Sequence, residues 1–318
     1  MAEGDKNDKY KGLKPEIAEE IRGYETSFFR EDKPIPFCGL MIYPATLHDY
    51  EAFSSCSSCF TLNKNEDPQG IRMSQLEYLI SRTQLPEGEG QRWSYKIQRI
   101  LEIIFHIKNG IKCTKCGHNI PYSSQEFSDF LDQVKKATED ESDQAKKKLP
   151  QCPECGGVEY IEMIKITQDE KTKKFSLLVD GHEINKKDFD RLRCIVLFQN
   201  FPDYRDESWI DPEVKKDHDA KLELQQKMNN LSATLEKKVV CLSIATNYTF
   251  EQIFNMTIRK FTMALATVDD LINYKIMKSA AMSGFVKLEK GQNIEHWIYK
   301  EDKDMYGDYK DADSAQSA

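Results

Sequence analysis

Two short stretches, KCTKCGHN at residues 112–119 and QCPECGG at residues 151–157, decide how the middle of this chain must fold. Each contains a Cys-x-x-Cys pair followed directly by glycine. A glycine there lets the backbone turn tightly enough for its N–H groups to face the thiolates. Two such knuckles supply four thiolates, the usual set for tetrahedral structural zinc. We therefore predict a zinc ribbon whose metal ligands are Cys113, Cys116, Cys152 and Cys155.

The ligand set also indicates the type of zinc site. Four thiolates close a tetrahedral coordination sphere, whereas catalytic zinc keeps one position open for water. The predicted zinc is therefore structural. His118 directly follows Gly117 and could replace one thiolate, but we interpret it as a turn residue.

The spacing between the two pairs predicts an insertion. Residues 117–151 separate them, which exceeds the ~15–20 residues of a compact ribbon. The excess contains SSQEFSDFLDQVKKA at residues 123–137, where Phe, Leu and Val recur at helical spacing. Ser123 and Glu126 have the spacing of a capping box. We predict a helix inserted into the ribbon at this point.

We predict that the remaining five cysteines pack in the core and neither bind metal nor act in redox chemistry. Cys56 and Cys59 lie in SSCSSCF at residues 54–60, but no glycine follows the second cysteine and the neighbouring apolar residues have helical spacing. Cysteines three residues apart on one helix face are typically small buried side chains. We predict that this pair is neither a metal site nor a redox pair. Core packing is also predicted for the isolated cysteines beside apolar residues, which are Cys38, Cys194 and Cys241.

The composition argues against several classes of protein. The 318 residues carry a net charge of −8, whereas general nucleic-acid binders usually have a basic excess. No stretch approaches the ~20 apolar residues of a membrane span. The polar start MAEGDKNDKYKGLKPEIAEE lacks the apolar core of a secretory signal. We therefore expect no membrane association and a reducing compartment, where paired cysteines indicate metal more than disulfides.

Periodicity and turn residues predict an α+β fold that is mainly helical. A short strand is predicted at 39–45 and a β-hairpin around a polar turn at 168–174. Asp180-Gly181 predicts a second tight turn, and Asn185 is placed to cap the helix that follows. The helices predicted before the ribbon lie at 46–60, 74–82 and 92–105.

We predict an N-terminal helical region, a central zinc ribbon with a small antiparallel β-hairpin, and a C-terminal helical domain. The predicted segments are a polar, extended N-terminal arm (1–35), a mostly helical N-terminal domain (36–109), the zinc ribbon with its helical insert (110–157), a β-hairpin plus helix (158–210), a polar connecting helix (211–235), a C-terminal helical domain (236–299) and a disordered acidic tail (300–318).

The C-terminal region has the most regular pattern. Thr249 and Gln252 have capping-box spacing, and Thr257 is placed to cap the next helix. That helix is predicted to run to Gly284, and its length at 1.5 Å per residue is about 40 Å. Its apolar stripe consists of Ile258, Phe261, Leu265, Val268, Ile272 and Ile276. The pattern leaves open whether other helices of the chain or a partner protein cover this stripe.

Three stretches carry distinctive packing motifs. They are GLMIYPATLHDYEAF with MSQLEYL, then DFDRLRCIVLFQN…WIDPEV, and finally TFEQIFNMTIRKF…INYKIMKSAAMSGFVKL…IEHWIY. These motifs resemble tail-assembly chaperone-like and related morphogenesis proteins of long-tailed phages. The resemblance implies a non-enzymatic tail-assembly or virion protein that binds the tape-measure protein or tail-tube subunits. It implies a location in the cytoplasm of an infected bacterial host or in the virion, and it transfers no functional residue.

The long amphipathic helix suits docking on another helix, in a tail protein or in a second copy of the chain. Two other classes of function stay open. Lysines near the knuckles favour a zinc-ribbon nucleic-acid binder or regulator, although the insert holds more acidic residues than lysines. These lysines are Lys112, Lys115, Lys146, Lys147 and Lys148. An enzyme is the third class, but the chain has no Gly-x-Ser-x-Gly, His-Glu-x-x-His or P-loop motif, so we predict no enzymatic activity.

Overall fold

A computed structural model of the chain is mainly helical, with small antiparallel sheets and no barrel. The α+β fold predicted from the sequence is confirmed, since the N- and C-terminal regions are helical and the middle of the chain contains the cysteine cluster and strands. Among the residues that the structure describes, no helix is long and apolar enough to cross a membrane. The described residues are 9–86, 88–139, 150–206, 213–214, 216–217, 219–221, 224 and 233–283.

The chain divides into two compact units. One comprises residues 20–199, and the other combines residues 1–19 with residues 200–318. The boundaries of the seven segments proposed from the sequence stay predictions.

The helices are α1 (Pro15–Tyr24), α2 (Tyr50–Cys56), α3 (Ser58–Thr61), α4 (Gln75–Thr83), α5 (Glu89–Phe105), α6 (Gln125–Glu139), α7 (Lys186–Asn200), α8 (Leu235–Thr246), α9 (Phe250–Phe254) and α10 (Ile258–Met282). The strands are β1 (Ile35–Phe37), β2 (Leu40–Ile42), β3 (Gly110–Cys113), β4 (Asn119–Pro121), β5 (Tyr160–Glu162), β6 (Ile164–Gln168), β7 (Phe175–Val179) and β8 (His182–Ile184).

Four helices build much of the core of the 20–199 unit. α2, α3 and α4 pack against α5, which buries one apolar face. The predicted helices at 46–60, 74–82 and 92–105 are therefore present, although the first is divided at Ser57 into α2 and α3. The side chains buried in these helices include Phe53, Phe60, Leu79, Ile100 and Ile104.

The N-terminal arm differs from its prediction. Residues 1–35 were expected to be extended, but α1 and a π-helical segment at Glu25–Phe29 lie within them. Arg191 of α7 donates two hydrogen bonds to the Glu20 carboxylate, from Nε at 3.0 Å and Nη2 at 2.7 Å. These bonds lower the pKa of Glu20. The prediction of an extended arm is wrong. It was based on the polar composition of residues 1–35, whereas the ion-pair partner of Glu20 lies far away in sequence and leaves no local signal.

In the part of the chain that the structure describes, three small antiparallel sheets accompany the helices. β1 and β2 form a hairpin whose two turn residues, Cys38 and Gly39, both have positive φ, as in a type I′ turn. The second sheet has the order β4-β3-β5, and the third has the order β6-β7-β8. The predicted hairpin around 168–174 is β6–β7, and the predicted Asp180-Gly181 turn joins β7 to β8.

Met163 connects the second sheet to the third. Its backbone N–H donates to the Gly110 carbonyl at 2.9 Å, and its carbonyl accepts from the Asp180 N–H at 2.7 Å. Lys112 of β3 adds an ion pair across the junction, with Nζ 2.5 Å from Asp180 Oδ1. These contacts hold the two sheets together as neighbours.

Three capped helices make up the described part of the C-terminal region. Thr234 caps α8, Thr249 and Gln252 form the predicted capping box of α9, and Thr257 caps α10. The predicted 211–235 helix lies largely outside the described residues, as do Gly284 and the 300–318 tail. The small core between these helices consists of Val239, Leu242, Ile253, Ile258 and Phe261.

Replacing Gly110 by alanine should destabilise the sheet that carries the knuckles. A Cβ atom at this position would overlap the backbone of Ile120 and Pro121, so β3 could not keep its register against β4. We expect the free energy of unfolding to fall by about 3 kcal/mol in a denaturant titration.

Gly23→Ala is the matched control. No atom lies within 4 Å of a Cβ at that position, and alanine favours the surrounding helix α1. Equal stability of the two variants would contradict the packing of β3 on β4.

Candidate metal centre

The four cysteines of the two knuckles come together at one point. Their Sγ atoms all lie within 4.8 Å of one another, and this is the one group with metal-ligand geometry among the described residues. The separations are 3.6 Å from Cys113 to Cys155 and 3.5 Å from Cys116 to Cys152. A disulfide requires about 2.05 Å. A tetrahedron with Zn–S bonds of about 2.3 Å has edges of about 3.8 Å, so the cluster fits a four-coordinate metal ion.

The backbone of each knuckle repeats the same turn. In the first, the Gly117 N–H donates to the Cys113 carbonyl at 2.9 Å, and Gly117 has φ +76°. In the second, the Gly156 N–H donates to the Cys152 carbonyl at 2.8 Å, and Gly156 has φ +68°. A positive φ of this size favours glycine, which explains why both knuckles carry one after the second cysteine.

Hydrogen bonds and mutual repulsion divide the charge unequally among the thiols. The backbone N–H groups of Cys116 and Lys115 lower the pKa of Cys113 to about 7. The His118 N–H acts to lower the pKa of Cys116, but neighbouring thiols, with Cys155 first among them, raise it to about 12. Four thiolates around one point repel one another, so their full ionisation requires a cation at the centre.

His118 lies outside this cluster. Its Nε2 atom is 2.8 Å from Oε1 of Glu126 on α6, so the side chain links the first knuckle to the inserted helix. The predicted capping box of Ser123 and Glu126 is wrong, because His118 engages the Glu126 carboxylate. Ser124 caps the helix instead, with its Oγ accepting from the Phe127 N–H at 3.2 Å.

A row of aromatic rings packs α6 against the ribbon. Ring centroids lie 4.7 Å apart for Tyr122 and Phe127, 6.2 Å for Phe127 and Phe130, and 5.0 Å for Phe130 and Tyr160. Desolvation and the charges of the nearby cysteines raise the pKa of Tyr160 to about 12. Sequence reasoning identified the two phenylalanines as one helix face but missed both tyrosines, because contacts between elements leave no periodic signal.

The other cysteines lie away from this centre. Cys56 and Cys59 are buried, and burial raises the pKa of Cys59 to about 12, which leaves little thiolate for metal binding or redox chemistry. Cys194 is buried as predicted, and Cys38 is half-buried. Cys241 is exposed, so the prediction of core packing is wrong there. Its neighbours in sequence are apolar, but the helical rotation of α8 turns its side chain outward.

The comparison with protein-family models gives a match to part of the chain. A family model described as the YomV second domain matches residues 225–302. The family is phage-derived, so the match suggests a phage origin. It covers well under half of the chain and includes all of α8, α9 and α10. No curated protein matches the chain, and no solved structure matches it.

Cys113→Ser should remove the bound metal. We expect elemental analysis of the purified native chain to give close to one zinc per chain, and the variant to give almost none. Structural zinc contributes about 10–16 kcal/mol of apparent binding free energy in zinc-finger peptides, so chelation should also unfold the ribbon locally.

The control for this measurement is Cys56→Ala/Cys59→Ala, which removes two thiols outside the cluster and should leave the zinc content unchanged. Full zinc content in a Cys113→Ser/Cys152→Ser variant would refute the ligand assignment. Loss of half the metal from the control variant would show that the second cysteine pair binds metal too.

Proposed function

We propose that this chain is a non-enzymatic phage protein that acts in tail assembly or as part of the virion, binds other tail proteins and contains a structural zinc ion. The observation that carries the proposal is the phage-derived domain match at 225–302. That same region contains large apolar side chains exposed on its helices. The proposed location is the cytoplasm of an infected host cell or the virion.

Structural zinc would be held by Cys113, Cys116, Cys152 and Cys155. When bound, the ion supplies a cross-link between the two knuckles and neutralises their thiolate charge. The chain itself contributes the β3–β4 and β3–β5 ladders, the glycine turns and the aromatic packing of α6. With four thiolates as ligands, no coordination position is left for a reacting water, which supports a structural role.

The surface that we assign to a partner lies on α8 and the start of α9. Ile244 is 77% exposed, and Val240 lies one helical turn before it on the same side. Tyr248 and Phe250, just beyond the end of the helix, are exposed as well. We call these four residues the α8 face. Several large exposed apolar side chains within one short stretch of chain are typical of a protein-binding surface.

The proposed occupant of the α8 face is an apolar helix of a tail protein. An amphipathic helix can bind such a face through residues spaced three and four apart. The chain has a net charge of −8, which would help to keep a complex with an apolar partner in solution. The tape-measure and tail-tube proteins are the candidates that the sequence resemblance implies.

Nucleic-acid binding by the ribbon is the alternative. Lys112, one of the lysines behind that hypothesis, is paired with Asp180 and therefore less available to a phosphate. Lys146, Lys147 and Lys148 lie outside the described residues. We favour protein binding for this reason.

Ile244→Asp should abolish binding to the tail partner without unfolding the chain. We would co-express the chain with the tape-measure or the tail-tube protein of the same phage and measure the complex by affinity capture and light scattering. A charge buried in an apolar contact without a partner costs several kcal/mol, so capture should fall to background.

Asn255→Asp is the control, since it adds the same charge at an exposed polar position and should bind normally. Circular dichroism would show that both variants are folded. If the native chain captures neither tail protein, or if Ile244→Asp binds as well as the control, the proposed function or its surface is wrong.

A further inference from the structure

The Tyr160 hydroxyl is a buried polar group that has no hydrogen-bond partner among the described residues. Most buried hydroxyls in folded proteins have a partner, because an unpaired one loses its hydrogen bonds to water and gains nothing in return. An unpaired donor in such a place is therefore a reason to ask which neighbouring group could accept from it.

Tyr160 lies beside the cysteine cluster. In the antiparallel pair of β3 and β5 it is directly opposite Cys113, and side chains in such positions lie on the same face of the sheet. The charges of all four clustered cysteines act on its hydroxyl, with that of Cys152 acting most strongly. The hydroxyl is therefore near the sulfur atoms that would bind the metal.

The inserted helix restrains the Tyr160 ring. Phe130 of α6 packs edge-on against it, with a centroid separation of 5.0 Å and an angle of 74° between the two rings. Glu126 of the same helix is bonded to His118 in the first knuckle, which ties α6 to the ribbon. These contacts limit the positions that the Tyr160 side chain can take.

Thiolates are the acceptors that this position offers. A neutral thiol is a weak acceptor, whereas a thiolate accepts a charge-assisted hydrogen bond, which is about twice as strong as a neutral one. Metal binding requires cysteines in the thiolate form, so four such sulfur atoms would meet at the cluster. Hydrogen bonds from groups outside the ligand set orient metal ligands and are needed for full metal affinity.

We propose that Tyr160 is a positioning residue of the metal centre, whose hydroxyl donates a hydrogen bond to the clustered thiolates while Phe130 of the inserted helix holds its ring. The assignment rests on the metal site of the proposed function and adds a residue outside the four ligands. It also gives the insertion a role, since α6 then helps the chain to retain zinc without supplying a ligand.

A purely structural role for Tyr160 leads to a different expectation. If only the ring matters, phenylalanine should replace tyrosine without consequence, because the two rings have the same shape. If the hydroxyl donates to the thiolates, the same change removes one hydrogen bond from the metal ligands and leaves the packing on Phe130 in place. Tyr160→Phe therefore separates the two roles.

The zinc affinity of the purified full chain, measured in competition with a chromogenic chelator, tests the proposal. We expect Tyr160→Phe to bind zinc about 10-fold more weakly than the native chain, as is typical when a group that supports a metal ligand is removed. Circular dichroism of the zinc-loaded proteins would show that the variant is folded.

Tyr122→Phe is the matched control. It removes the same hydroxyl from the other tyrosine of the aromatic row, on which the charge of Glu162 acts instead of those of the cysteines. We expect this variant to bind zinc as tightly as the native chain. Native affinity in Tyr160→Phe would overturn the proposal, and so would an equal loss of affinity in both variants.

Cobalt substitution gives a second readout, which a change in packing alone would not move. A hydrogen bond to a thiolate stabilises the electrons on sulfur and so raises the energy of the sulfur-to-cobalt charge-transfer band. In the Co²⁺-loaded Tyr160→Phe chain we expect this band to shift to longer wavelength, with no shift in Tyr122→Phe. An unshifted band in Tyr160→Phe would contradict the proposed hydrogen bond even if the zinc affinity fell.

Failure of this proposal and failure of the proposed function give different results. A native chain that retains zinc while Tyr160→Phe behaves like the control contradicts only the role of Tyr160. A native chain that binds no zinc contradicts the metal site and this proposal together. Neither result changes the capture of a tail protein through the α8 face.

Discussion

The approach of four thiols to within 4.8 Å of one another is the constraint on which the middle of this fold depends. The three strands of the ribbon contain only three or four residues each, too few for a stable isolated sheet. The segment between the knuckles is long, and closing it costs conformational entropy. A metal ion at the thiols would supply the free energy that the short ladders lack. The backbone hydrogen bonds of Met163 and the Lys112–Asp180 ion pair then hold the neighbouring sheet against the ribbon.

Features set by local chemistry could be predicted from the sequence. The glycine-closed knuckles and the capping threonines Thr249 and Thr257 each depend on residues within a few positions, so their patterns are visible in a single chain. The Asp180-Gly181 turn is of the same kind.

Features set by contacts between distant elements could not be predicted. The helical N-terminal arm depends on Arg191 for its ion pair, and Glu126 pairs with His118 instead of closing the predicted capping box. The exposure of Cys241 depends on which side of α8 meets the other helices. The α10 stripe was predicted correctly as a pattern, but periodicity carries no information about how far along a helix its neighbours extend.

X-ray absorption at the zinc edge of the purified full chain would identify the atoms that coordinate the metal, which we expect to be four cysteine sulfurs around zinc. The expected spectrum has four sulfur neighbours at about 2.3 Å and no lighter ligand. A nitrogen or oxygen neighbour at about 2.0–2.1 Å would show that a histidine, carboxylate or water completes the site, and the closed structural centre described above would be contradicted. A purified chain that retains no zinc would contradict it equally.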